Sequence, residues 1–137
     1  MPNMDIFTNK KVFGAWGEQI AADYLESLGY KIVCRNYRCR YGEIDLICTD
    51  GPVWSFVEVK ARKSFEYGDG FQAITVHKRK NMTRAALYYL NQSDLPDAAS
   101  RFDVVAIDCR SAIDYRIRLV QNAFDLTHAS QLRHSDR

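Results

Sequence analysis

Apolar positions along the chain change period several times, and each change marks an element. Over residues 13–28 they recur at helical spacing, with Ala21, Tyr24, Leu25 and Leu28 on one stripe and Ile20 at its margin. Gly14 and Gly17 fall on the same side and carry no bulk, so this helix is expected to lie close to a sheet, and Gly29 supplies a stop signal. Residues 30–34 read as a short strand, and residues 35–40 as polar, irregular chain. Two apolar runs of strand type follow, over 41–48 and 54–60, joined by a turn at Asp50-Gly51-Pro52. Residues 61–71, with Gly68 and Gly70 among charged residues, read as a loop. A second helix is predicted over 74–90, with Met82, Ala85, Ala86, Tyr89 and Leu90 at core spacing. After a connection containing Pro96, two more strands are expected at 102–107 and 115–120, turning near Ser111. The pattern predicts an α/β fold, one sheet with helices packed on it, as a single domain over residues 1–126 with a polar tail at 127–137.

The two central strands carry acids where a core should be apolar. Alternate side chains of a strand point to the same face, so Glu43 and Asp45 share one face of the first run, and Glu58 and Lys60 one face of the second. A two-residue loop at Asp50 and Gly51 sets Glu43 opposite Glu58; a four-residue loop over 50–53 sets Asp45 opposite Glu58. Both registers have the same parity and keep the acids on one face, with opposed Cβ atoms about 4.5–5.5 Å apart. Two carboxylates near 4 Å repel by about 4 kcal/mol at an effective dielectric of roughly 20. Lys60 offsets part of this, but one ammonium does not balance three acids, so a cation is expected to visit. Magnesium or manganese suits oxygen ligands shared by Asp45 and Glu58. Such an ion polarises a phosphodiester and lowers the pKa of a bound water, with Lys60 beside it to stabilise charge on phosphorus. Glu18 sits at the edge of the first helix's apolar side, where it is either a solvated acid or a further ligand to metal or water. The plainer account is an open sheet face with cross-strand salt bridges. Against it, Ile47, Trp54 and Phe56 occupy the acids' face and call for a covering helix.

Composition adds little: 137 residues, 47% hydrophobic and 26% charged, suit one folded domain. The net charge of +2 matters through its distribution. Arg35, Arg38 and Arg40 lead into the first acidic strand, Arg62 and Lys63 leave the second, and Lys78, Arg79 and Lys80 open the second helix. That bracket of the acids is what a phosphate-binding surface requires, although a solvated basic face has the same composition. The cysteines Cys34, Cys39, Cys48 and Cys109 lack zinc-site spacing and read as free thiols. No signal peptide or membrane-length apolar run is visible, which favours a reducing, cytoplasmic location without a membrane partner.

On several of these residues the chain resembles the YraN-like family of the PD-(D/E)XK nuclease superfamily. The match rests on Gly14-Ala15-Trp16-Gly17-Glu18, Arg35-Asn36-Tyr37-Arg38, Gly42-Glu43-Ile44-Asp45-Leu46-Ile47, Phe56-Val57-Glu58-Val59-Lys60-Ala61-Arg62 and Arg101-Phe102-Asp103-Val104-Val105. The resemblance implies a restriction-endonuclease-like core, a mixed β-sheet flanked by helices, similar to archaeal Holliday-junction resolvases. It implies Asp45, Glu58 and the backbone carbonyl of Val59 as metal ligands, Lys60 as the catalytic lysine, and Glu18 as a helix-borne catalytic acid. The superfamily's proline before the aspartate is Ile44 here; that proline is not a ligand. Glu43 receives no ligand's role.

The expected function is a metal-dependent endonuclease acting on DNA, branched or single-stranded, with Tyr37 or Tyr41 placed to stack on a base. The alternative is a non-catalytic nucleic-acid-binding or adaptor protein that keeps the fold, which has no need of an acid cluster that repels phosphate. A homodimer would suit a two-fold substrate.

Overall fold

The computed structural model describes residues 6–63 and 74–124. Helix α1 (Lys10–Ser27) begins at Asn9, whose side-chain oxygen accepts from the Lys11 and Val12 amides at 2.8 and 3.3 Å. It stops at Gly29, where φ is +96°, a conformation glycine adopts without steric cost. Gly17, Ala21, Ala22 and Leu25 are its buried face. Leu28, expected on that stripe, is 49% exposed, because the helix has already ended there. A Cβ on Gly17 would lie 3.0 Å from that of Ala61, so α1 presses against the sheet at this residue; Gly14 meets open space.

Strands β1 (Lys31–Cys39), β2 (Gly42–Asp50) and β3 (Val53–Lys63) precede helix α2 (Val76–Gln92); β4 (Ser100–Ser111) and β5 (Asp114–Phe124) follow it. They form one five-stranded sheet in the order β1-β2-β3-β4-β5. Only β3 and β4 are parallel, and α2 is the crossover that a parallel pair needs. This is the mixed α/β arrangement expected of a restriction-endonuclease-like core. Residues 35–40, expected to be irregular, instead continue β1 through Cys39. As an edge strand with one partner, it tolerates arginines that a central strand would not. Residues 61–63, expected in a loop, extend β3. The rest of that loop, 64–71, and the polar tail at 127–137 lie outside the described residues.

Each face of the sheet carries its own apolar cluster. Ala21, Ala22 and Leu25 of α1 pack on Leu46, Val57, Val105 and Ile107. On the other face Met82, Ala85, Ala86 and Leu90 of α2 pack on Ile47, Phe56, Phe102 and Val104. The helix that Ile47, Trp54 and Phe56 called for is therefore α2, and Trp54 reaches it through Tyr89, ring centroids 5.7 Å apart. Cys34, Cys39, Cys48 and Cys109 are free thiols, the last two buried. Among the described residues no helix is long and apolar enough to cross a membrane.

A buried carboxylate ties the strands together. Asp103 of β4 has no exposed surface. It accepts from the Tyr30 hydroxyl at 3.1 Å, the Ser55 hydroxyl, Arg101 Nε at 2.9 and 3.0 Å, and the Asn122 amide at 2.9 Å. Arg101 donates onward to Asp50 at 2.7 Å and to the Tyr30 hydroxyl at 2.6 Å. Residues at or beside the ends of all five strands thus meet at one charge pair. Replacing Asp103 by alanine leaves Arg101 with Asp50 as its remaining carboxylate and takes the acceptor from the Ser55 hydroxyl and the Asn122 amide, and should lower stability by about 3 kcal/mol or more. The measurement is the urea midpoint at unchanged slope; a wild-type midpoint would mean the network contributes nothing net.

Candidate functional site

The β2–β3 hairpin closes with Asp50 paired to Val53, Gly51 (φ +58°) and Pro52 forming the loop. Pairing then runs through Thr49–Trp54 to Leu46–Val57. One more step of this register sets Asp45 opposite Glu58, the arrangement expected of the longer loop. The strands part there, and Asp45 uses a carboxylate oxygen instead, Oδ2 accepting from the Val59 amide at 2.8 Å. The Asp45 and Glu58 side chains are also hydrogen-bonded to each other.

Strict alternation fails at the same place. Ile44 and Ile47, three residues apart, both bury in the cluster beneath α2. On β1, Arg35 pairs with Leu46 and Tyr37 with Ile44, so Asn36 faces Asp45, and Asn36 takes a φ of +53°. Asparagine is among the few side chains that adopt this left-handed conformation readily. The local twist leaves Asp45 within electrostatic reach of both Glu58 and Glu18. Glu43 stands at the margin of the group: after burial and Asp45, its charge also raises the pKa of Glu18, and its exposed carboxylate pairs with Arg38 at 3.7 Å.

Glu58 is 8% exposed. Burial, then the charge of Asp45 and the hydrogen bond between the two carboxyls, push its pKa up to about 8, against the pull of Lys78 and Lys60. Lys78 reaches in from α2, with Nζ 3.5 Å from Glu58 Oε2. Glu18 of α1 is half-buried, and its pKa is raised by burial and by Asp45, while a hydrogen bond to Asn36 and the charge of Arg35 oppose the rise. Acids from α1, β2 and β3 and lysines from β3 and α2 thus act on one another around the middle of β2 and β3.

Among the described residues no three His, Cys, Asp or Glu side chains form a ready-made metal cage. The two adjoining carboxyls still fit a hard divalent cation, since magnesium commonly takes one or two carboxylates and keeps its waters. The raised pKa of Glu58 records the same need: without a cation, the pair cannot carry two charges cheaply.

The basic residues expected to hold phosphate scatter more widely. Arg35 donates to Gln19 at 2.9 Å, beside Glu18. Arg40 lies over the Tyr41 ring. Arg62 faces Asp108 at 3.8 Å, and Lys63 turns away, donating to the Phe7 carbonyl at 3.2 Å. Lys78 serves the acids directly, while Arg79 is half-buried and Lys80 exposed one and two residues along the helix. Sequence reasoning placed Lys78 in a phosphate-binding group and missed its carboxylate, because nothing local links residues 58 and 78. It also assigned Asn36 no role. The signal there was an asparagine between two arginines and a tyrosine, a residue suited to a twisted strand.

The sequence pattern of the uncharacterised protein family UPF0102 matches residues 17–107, a span that includes Glu18, Asp45, Glu58 and Lys60. A UPF0102 protein of Geobacter sulfurreducens is 42% identical over 120 residues, covering 88% of this chain and 94% of the relative. One from Desulfosudis oleivorans is 43% identical over 125 residues, covering 91% and 99%. One from Lachnoclostridium phytofermentans is 46% identical over 118 residues, covering 85% and 96%.

The raised pKa of Glu58 has a definite consequence for stability. From about pH 4.5, where an unfolded glutamate loses its proton, up to about pH 8, the folded protein holds a proton the unfolded chain has released. The contribution of Glu58 is therefore fully present below pH 4.5 and is lost as pH rises through 8. In chelator, Glu58→Gln should unfold at a higher temperature than the wild type at pH 8.5, with the gap shrinking toward pH 5. Parallel melting curves for the two proteins across that range would contradict the burial argument.

Proposed function

We propose that this chain, which belongs to the uncharacterised protein family UPF0102, is a metal-dependent endonuclease that hydrolyses phosphodiester bonds in branched or single-stranded DNA. The observation that carries the reading is the adjoining Asp45–Glu58 carboxyl pair, set beside Lys60 and bracketed by Glu18 and Lys78.

Asp45, Glu58 and the Val59 carbonyl are the residues that would hold magnesium or manganese. When bound, the ion supplies charge to polarise the phosphodiester and to ease ionisation of a bound water. The protein's own part can be followed atom by atom. The Val59 amide fixes one oxygen of Asp45 and so orients the carboxyl that meets Glu58. Lys78 compensates Glu58 and lowers the cost of holding a carboxylate at a nearly buried position. Lys60, two residues after Glu58, carries its ammonium toward the scissile phosphate, where positive charge is worth most as negative charge gathers on the oxygens. Glu18, oriented by Asn36 and with a raised proton affinity, is suited to hold a water or accept its proton. Arg35, Arg38 and Arg40 on the β1 side supply sequence-independent attraction for the backbone, which favours recognition of DNA structure over base sequence.

Two measurements test this. Manganese should raise the melting temperature of the wild type and leave that of Asp45→Asn unchanged, since a ligand stabilises only the state that binds it. Cleavage of branched or single-stranded DNA should require the metal, stop with chelator, and fall by about 100-fold or more in Lys60→Ala with DNA binding retained. Equal cleavage by wild type, Asp45→Ala and Lys60→Ala would exclude the site. Binding without cleavage under every metal condition would favour the adaptor.

A further inference from the structure

The turn between β1 and β2 carries a cluster that the acid site does not use. Tyr41 packs edge-on against Tyr88 of α2, ring centroids 5.6 Å apart and planes at 61°. The Arg40 guanidinium lies 4.9 Å from the Tyr41 centroid and 6.0 Å from that of Tyr88, and donates to the Tyr41 hydroxyl at 2.8 Å. Arg38, Arg62 and Arg101 each pair with a carboxylate, but among the described residues none pairs with Arg40, which is exposed. A planar, weakly hydrated cation is thus held close to two aromatic rings at an exposed residue.

We infer that Arg40, Tyr41 and Tyr88 form a stacking platform for an unpaired base of DNA, so that the protein selects single-stranded segments over continuous duplex. This rests on the nuclease reading of the acid site. Bases inside a duplex have both faces occupied by their neighbours, whereas an unpaired base offers a face to a guanidinium or phenol plane. The charge of Arg40 then also meets the backbone phosphate of the stacked nucleotide.

The platform stands at a distance from the acids that a DNA strand spans in a few steps. Along α2, Lys78 touches Glu58 and Tyr88 touches Tyr41, ten residues or about 15 Å apart along the axis. Along the neighbouring strand, Tyr41 and Asp45 are four residues or about 13 Å apart. Either path is a few nucleotides of single strand. A strand with its scissile phosphate at Asp45 and Glu58 therefore brings a base a few nucleotides away onto Arg40. The plainer role of the cluster, pinning the β1–β2 turn to α2, carries no preference between kinds of DNA.

The test is fluorescence anisotropy in chelator, with a labelled oligothymidylate and a hairpin duplex of equal length. Tyr88→Ala should bind the single strand about 5-fold or more weakly, as loss of one base–aromatic stack predicts, and the duplex within 2-fold of wild type. Tyr88→Phe, which keeps the ring, should restore single-strand binding. Arg40→Gln, an exposed change that leaves the core intact, should weaken the single strand more than the duplex, although it removes a phosphate-attracting charge from both. Unchanged single-strand binding in Tyr88→Ala and Arg40→Gln, or equal loss on both DNAs, overturns the platform. If that occurs while the wild type cleaves DNA with manganese, the platform alone fails. If the selective losses occur and no cleavage is found, the platform stands and the hydrolytic reading fails. A wild type that binds neither DNA overturns both.

Discussion

A carboxylate with no access to water cannot be left unpaired, and Asp103 is such a carboxylate. Its demand for donors draws Tyr30, Ser55, Arg101 and Asn122 to one point, and Arg101 brings in Asp50. Each partner belongs to, or directly precedes, a different strand of the sheet. A slip of β4 against β3, or of β5 against β4, would leave the charge partly bare, so the network specifies register as well as contributing stability.

Register is what the acid site depends on. Asp103 pairs with Val57, and the next step sets Val104 beside Glu58. The charge pair at one end of β3 therefore fixes the height at which Glu58 emerges, three residues or about 10 Å beyond Ser55. On the other side of β3, the Gly51-Pro52 loop sets Asp45 against Glu58, and the Val59 amide locks that contact. The sheet treats these two buried acids in opposite ways. Asp103 is fully compensated by donors, whereas Glu58 faces another carboxyl and is only partly offset by Lys78 and Lys60. One buried acid is thus satisfied by its donors, while the other is held in tension with a neighbouring carboxyl.

The periodicities exposed both helices and all five strands, because amphipathic spacing records only which side of an element meets apolar neighbours. They failed at residues 35–40, where an edge strand carries arginines and so looks like a loop, and at Leu28, where the stripe outlasts the helix. The acidic strands were legible for the same reason that they are unusual: a carboxylate in an apolar run stands out without knowledge of its partner. The parity argument reached the right neighbours by an incomplete route: it brought Asp45 and Glu58 together but assumed an alternation that breaks between Ile44 and Ile47.

The sequence by itself determined the types of element, their order, and the acids and lysine set into the central strands. These depend on residues within a few positions of one another, and local chemistry dictates them. Only the tertiary structure decided which register closes the hairpin, where alternation breaks at Asn36 and Asp45, and that Lys78 rather than solvent meets Glu58. It alone brought Tyr30 to Asp103, 73 residues away, and Tyr88 to Tyr41. Such contacts are chosen by competition among distant segments for buried hydrogen bonds and apolar area, and no local pattern encodes the winner.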